Sequence, residues 1–118
     1  REFCVADGNG VVLNINGVDH RCEPRSVTKF RGDDVVFAAL IDGPMRALNL
    51  MVRDGAKSRS LRLCTAGENI VNCSVAVAIG STSILVADGD EIGMQILDAL
   101  IFDSPTTIRV SDGVVATI

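Results

Sequence analysis

Val11-Val12-Leu13-Asn14-Ile15-Asn16-Gly17 decides the fold class of this chain. Five residues rich in β-branched side chains suit a pleated, half-buried strand, and Asn-Gly is the dipeptide that tolerates positive φ at both centres of a tight hairpin turn. A returning strand is therefore expected at Val18–Cys22. The same grammar extends outward. Arg1–Val5 is already strand-like, Ser26–Phe30 runs into the turn Arg31-Gly32-Asp33, and Val35–Leu40 stops at Asp42-Gly43-Pro44. Ala47–Arg53 is a further strand ending at Asp54-Gly55. Beyond it, short apolar runs are expected as strands at Leu61–Cys64, Ser74–Ile79, Ser83–Ala87, Gly93–Ile96, Ala99–Phe102, Thr106–Val110 and Val114–Ile118. No window of a dozen residues carries helical periodicity. The expected fold class is all-β.

A shift of 72 residues lays Val12–Gly17 on Ile84–Gly89 and Phe30 on Phe102 without a gap. Residues 55–60, Gly-Ala-Lys-Ser-Arg-Ser, are small and polar and read as an internal linker. The chain is accordingly expected to consist of two β-rich halves, residues 1–59 and 60–118, forming either two small barrels or two lobes of one sandwich.

At 118 residues the chain can bury a core without staples, and a 47% hydrophobic content with mean hydropathy of +0.34 excludes a disordered chain. Four Phe are its only aromatic residues, which argues against a base-stacking reader of single strands. Net charge is −4, so no nucleic-acid partner is expected. Nine of the eleven Lys and Arg lie in residues 1–60, which places any anion site in the first half. No apolar run approaches the roughly 20 residues of a membrane span. Cys4, Cys22, Cys64 and Cys73 show no zinc-like spacing, and with no recognisable signal peptide they point to buried, reduced thiols in a cytoplasmic protein. The strand-like start without an initiator Met suggests a processed or truncated protein.

Catalytic motifs are absent. His20 is the lone histidine, too few for a facial-triad metal site, and its place beside the Asn16-Gly17 turn suits an exposed residue better than a buried base. Asp33-Asp34 and Asp88-Gly89-Asp90-Glu91 read as turn acids, and Gly8-Asn9-Gly10 precedes no helix. No metal, cofactor or catalytic residue is assigned. The chemically informative stretch is Gly43–Gly55. Read as one strand, it puts Leu48, Leu50 and Val52 on a core face, and Asn49, Met51 and Arg53 on the other. An Asn amide and an Arg fork on a rigid strand can orient a small carboxylate, with Met51 as an adaptable apolar wall and Arg46 or Arg53 as its ion-pair partner.

Phe30-Arg31-Gly32-Asp33, Leu40-Ile41-Asp42-Gly43-Pro44 and Leu48-Asn49-Leu50-Met51-Val52-Arg53 together resemble the HutD/Ves family. That family has a Phe-x-Gly-Asp turn, a short strand, Gly-Pro, and Leu-Asn-x-Met-x-Arg. Asp98-Ala99-Leu100-Ile101-Phe102 is similar to its late Asp-Ala-Leu segment. The resemblance implies a cupin jelly-roll β-barrel in two cupin-like halves (a bicupin). It also implies N-terminal incompleteness, because the family's Trp-Lys-Asn-Gly-Gly-Gly segment has no counterpart here. It further implies a bacterial cytosolic protein that binds a small metabolite and restrains histidine utilisation, without an established reaction. The leading expectation is thus a non-catalytic binder of a small carboxylate through Arg46, Asn49, Met51 and Arg53. The alternatives are a metal-independent cupin isomerase or lyase using His20 or an aspartate, and a structural β-module that acts by dimerising through a sheet edge.

Overall fold

A computed structural model describes all residues, 1–118. It contains twelve strands and no helix, so no helix is long and apolar enough to cross a membrane. The chain forms two compact units, Arg1–Ser60 and Leu61–Ile118.

Six strands make up the first unit: β1 (Glu2–Asp7), β2 (Val11–Ile15), β3 (Val18–Cys22), β4 (Val27–Lys29), β5 (Val36–Leu40) and β6 (Arg46–Leu50). They form two antiparallel three-stranded sheets, ordered β4-β1-β6 and β3-β2-β5. Asn16 and Gly17 both hold positive φ, 51° and 87°, as the hairpin between β2 and β3 requires. Three strands stay folded only if one face is buried, and both sheets supply that face to a common cluster. Phe3 and Val5 come from β1, Val11 and Leu13 from β2, and Cys22 from β3. Val5 and Val11 are wholly buried, each worth about 1.5–3 kcal/mol of apolar transfer. The Cys22 thiol lies 3.1 Å from the Thr28 hydroxyl, joining the two sheets at one further point.

Cross-strand register identifies the faces. Ala47 pairs with Val5 and Asn49 with Phe3, so these residues share the cluster side of β1 and β6. Leu48 and Leu50 pair with Cys4 and Glu2 and point the other way. This reverses the facing expected for the Gly43–Gly55 stretch. The strand is also shorter than expected: β6 ends at Leu50, and Met51, Val52 and Arg53 lie beyond it.

The second unit is one six-stranded antiparallel sheet, ordered β10-β9-β11-β8-β12-β7. Its strands are β7 (Arg62–Thr65), β8 (Asn69–Ala78), β9 (Thr82–Val86), β10 (Glu91–Met94), β11 (Ala99–Asp112) and β12 (Val114–Thr117). Ile84, Ile108, Val110 and Val115 fill its core, with Cys64 and Cys73. The two strands expected at Ala99–Phe102 and Thr106–Val110 are one long strand, whose register shifts between Ile101 and Thr106. Pro105 lies within that irregularity, where a missing N–H interrupts no regular ladder.

Strand neighbours recur between the units at the expected offset. β2 lies between β3 and β5, and β9 lies between β10 and the second part of β11. β1 pairs with β4 as the second part of β8 pairs with the start of β11. All four cysteines are buried and free. Burial pushes the Cys4 and Cys73 thiols up, which suppresses thiolate formation.

Gly10 is the tightest point of the first unit. Its φ is +103°, and a Cβ there would lie 2.5 Å from the Cys22 carbonyl oxygen. Gly10→Ala is expected to cost about 2–3 kcal/mol, through strain and displacement of Cys22 from the cluster. Urea denaturation checks this: an unchanged midpoint would mean that the backbone here relaxes freely.

Candidate functional site

The loop Phe30–Asp33 and the segment Met51–Asp54 leave a cleft of about 840 Å³ between them, and Arg1 also lines it. That volume is within the range of small-molecule sites. Phe30, Met51 and Val52 supply apolar lining, while Arg1, Arg31 and Arg53 supply positive charge. A smaller hollow of about 410 Å³ adjoins it, shares Arg1, Phe30, Arg31 and Val52, and adds Lys29 and Arg59. Five cations therefore surround the two spaces, against three acids, Glu2, Asp33 and Asp54. In a chain with net charge −4, this is a local reversal of sign.

The cations differ in availability. Arg31 directs Nε and Nη2 to the two carboxylate oxygens of Asp33, at 2.9 and 3.2 Å. This fork holds the Asp33 carboxyl below the usual range and Arg31 firmly charged. Lys29 reaches Glu2 at 3.1 Å. The guanidinium groups of Arg1, Arg53 and Arg59 have no ion pair or hydrogen bond within the chain. A guanidinium without a partner beside an apolar wall is free to meet an anionic ligand.

The loop is held from the hairpin tip. Asn16 Nδ2 donates to Asp34 Oδ1 at 2.8 Å, and Asn16 Oδ1 accepts from the Val35 N–H at 3.0 Å. Asp34 Oδ2 in turn accepts from the Arg31 N–H at 2.7 Å. The residue that turns the β2–β3 hairpin thus also fixes the start of the loop that lines the cleft.

Of the residues proposed from sequence, Met51 and Arg53 line the cleft, and the chain's leaving β6 after Leu50 is what lets them do so. Arg46 does not. Its Nε and Nη2 donate to Asp7 Oδ2 at 3.1 and 2.8 Å, on β1. Asn49 lies on β6 opposite Phe3 and is exposed, outside the cleft lining. His20 lies within β3 opposite Leu13 and also lies outside it. Arg1, Phe30 and Arg31 went unassigned, although Phe30-Arg31-Gly32-Asp33 was legible as a turn. No group of three or more His, Cys, Asp or Glu is placed to hold a metal ion.

The HutD family model matches residues 1–116. The chain belongs to the HutD family. A solved structure of a conserved protein of unknown function from Pseudomonas aeruginosa PAO1 is similar to it, with a TM-score of 0.78 and 18% identity. The match covers 98% of this chain and 67% of that one, and at this identity it speaks for the fold alone. No curated protein matches. HutD proteins are cupin-like, in agreement with the all-β, antiparallel architecture of this HutD-family chain.

Two measurements probe the loop that lines the cleft and the Arg46–Asp7 pair outside it. Asn16→Gly keeps the left-handed backbone and removes only the side-chain clamp, so the amides of residues 31–35 should exchange faster while those of β1 do not. Equal protection throughout would mean that the loop holds itself. The Arg46 hydrogen bonds keep the Asp7 carboxyl below its usual range. A lowered folded-state value means stability that is present above the unfolded-state value, about 3.9, and lost as pH falls through the lowered one. Arg46→Met should therefore raise the Asp7 titration seen by carbonyl NMR and flatten the acid limb of the stability profile.

Proposed function

We propose that this HutD-family chain is a non-catalytic binder of a small carboxylate metabolite. It would act as a regulator linked to histidine utilisation, or to a related metabolic or stress response, in the bacterial cytoplasm. In this reading both units are cupin-like halves, consistent with the recurrence of strand neighbours between them. One observation carries the proposal: the unpaired Arg1 and Arg53 guanidiniums meet Phe30, Met51 and Val52 around one cleft in an acidic chain.

A carboxylate bound there would take two parallel N–H···O bonds from one fork, and the apolar lining would cover the remainder of a small ligand. Met51 suits that wall because its thioether is flexible and polarisable. The Arg31–Asp33 pair would act as a fixed rim rather than a ligand partner, since its fork is already occupied. An isomerase or lyase would need a group that exchanges a proton near neutral pH. The lone histidine, His20, stands outside the cleft, and Asp33, inside it, is already engaged by the Arg31 fork.

Thermal-shift and calorimetric titrations with histidine, urocanate, formiminoglutamate, formylglutamate and glutamate, beside unrelated dicarboxylates, test the proposal. A ligand at a hundred times its dissociation constant should stabilise by about 2.7 kcal/mol, a shift of several degrees. The shift should be specific to one acid and indifferent to chelator. Arg53→Lys should weaken binding about tenfold or more, because an ammonium does not replace the bidentate fork, whereas Arg46→Lys should leave it unchanged. Equal affinity of wild type and Arg53→Lys would overturn the assignment of Arg53.

A further inference from the structure

The chain holds two Asn-Gly dipeptides, Asn9-Gly10 and Asn16-Gly17. In this pair the glycine nitrogen can attack the preceding side-chain amide, because no Cβ obstructs it and the backbone bends freely. The two places differ in freedom. Gly10 is buried, and the nearby Cys22 carbonyl leaves its backbone no room to reorient. Asn16 and Gly17 are both exposed, and a Cβ on Gly17 would meet no atom within 4 Å.

Hydrogen bonds, not crowding, restrain Asn16. Its Nδ2 donates to Asp34 Oδ1 at 2.8 Å and its Oδ1 accepts from the Val35 N–H at 3.0 Å. With both ends of the amide tied, Cγ does not turn toward the Gly17 nitrogen. That nitrogen is tied as well, because its N–H donates to Asn14 Oδ1 at 3.0 Å. Asn14 is in turn fixed by its own Nδ2, which donates to Asp19 Oδ1 at 2.6 Å. At the 72-residue offset the matching turn is Asp88-Gly89, so an aspartate is accommodated in a turn of this kind. There Asp88 Oδ1 accepts from the Asp90 N–H within the turn, at 3.3 Å.

We propose that Asn16-Gly17 is a deamidation site, held in check by Asp34 and Asn14, whose conversion to aspartate unclamps the loop at residues 31–35. When the Asn16 amide swings free, the Gly17 nitrogen attacks its Cγ and a C–N bond forms. The bond from Cγ to Nδ2 breaks, and the amide NH2 leaves as ammonia with the former Gly17 N–H proton. Water then opens the five-membered imide at either carbonyl, giving aspartate or isoaspartate with no oxidation or reduction. A carboxylate now stands where Nδ2 donated to Asp34. The hydrogen bond is lost and two like charges face each other, while the turn itself persists. Because ammonia departs, the release of the loop is one-way. This inference is independent of the ligand reading, since it concerns the clamp and not what the cleft binds.

Tandem mass spectrometry that locates aspartate and isoaspartate in the chain, incubated at mildly alkaline pH, tests the proposal. Asn16 should convert more slowly in the folded chain than in urea. Asp34→Ala should speed conversion in the folded chain at least about tenfold, the worth of one hydrogen bond to a charged group. Asn14→Ala, which frees the Gly17 N–H, should speed it several-fold, and Asn9 should not respond to Asp34→Ala. Asn16→Asp, made directly, should let the amides of residues 31–35 exchange faster while those pairing β2 with β3 stay protected. Equal rates for Asn16 in the folded chain and in urea would overturn the proposal, as would a rate that neither variant changes. Full protection of residues 31–35 in Asn16→Asp would overturn the unclamping.

Discussion

The first unit rests on the shared burial of two narrow sheet faces. β4-β1-β6 and β3-β2-β5 are each only three strands wide and stay folded only with an apolar face buried, and each gives that face to the other. Phe3 and Val5 meet Val11, Leu13 and Cys22 there, and this contact fixes the register of β1 against β6. The cleft depends on that register. It places Ala47 and Asn49 on the cluster side, and it brings β6 to an end near the turn that follows β4.

Once the apolar strip is filled, charged residues are left to the strand ends and loops. Desolvating a guanidinium without a partner is costly, so Arg1, Arg53 and Arg59 remain where water reaches them. Arg31, Arg46 and Lys29 are held by Asp33, Asp7 and Glu2. Exposed pairs of this kind add little stability, but they determine which cations are free and which are occupied. That division, more than the number of arginines, gives the cleft its character. The second unit, where acids outnumber Lys and Arg, has its core in a single broad sheet.

Much of the strand content was legible. Asn16-Gly17, Asp42-Gly43-Pro44 and Asp54-Gly55 mark turns through local backbone chemistry, and a turn flanked by β-branched runs needs no distant information. The 72-residue offset was legible for the same reason, because turns and apolar runs recur in order. The site was legible only in part. Alternation puts Met51 and Arg53 on one face of a strand continuing to Arg53, whereas they reach the cleft because that strand stops at Leu50. Arg46 and Asn49 were grouped with them by spacing, and spacing does not reveal that Asp7, 39 residues away, engages Arg46.

By itself the sequence determined the all-β class, the hairpin tips, the clustering of cations in the first half and the resemblance to the HutD family. These are local or compositional properties, written in neighbouring residues. Which face of β6 meets the cluster and which arginines keep their guanidinium free were decided only by tertiary structure. A pairing shift of one residue inverts every face of a strand, and an ion pair depends on partners brought from distant positions. Alternation within one strand carries neither kind of information.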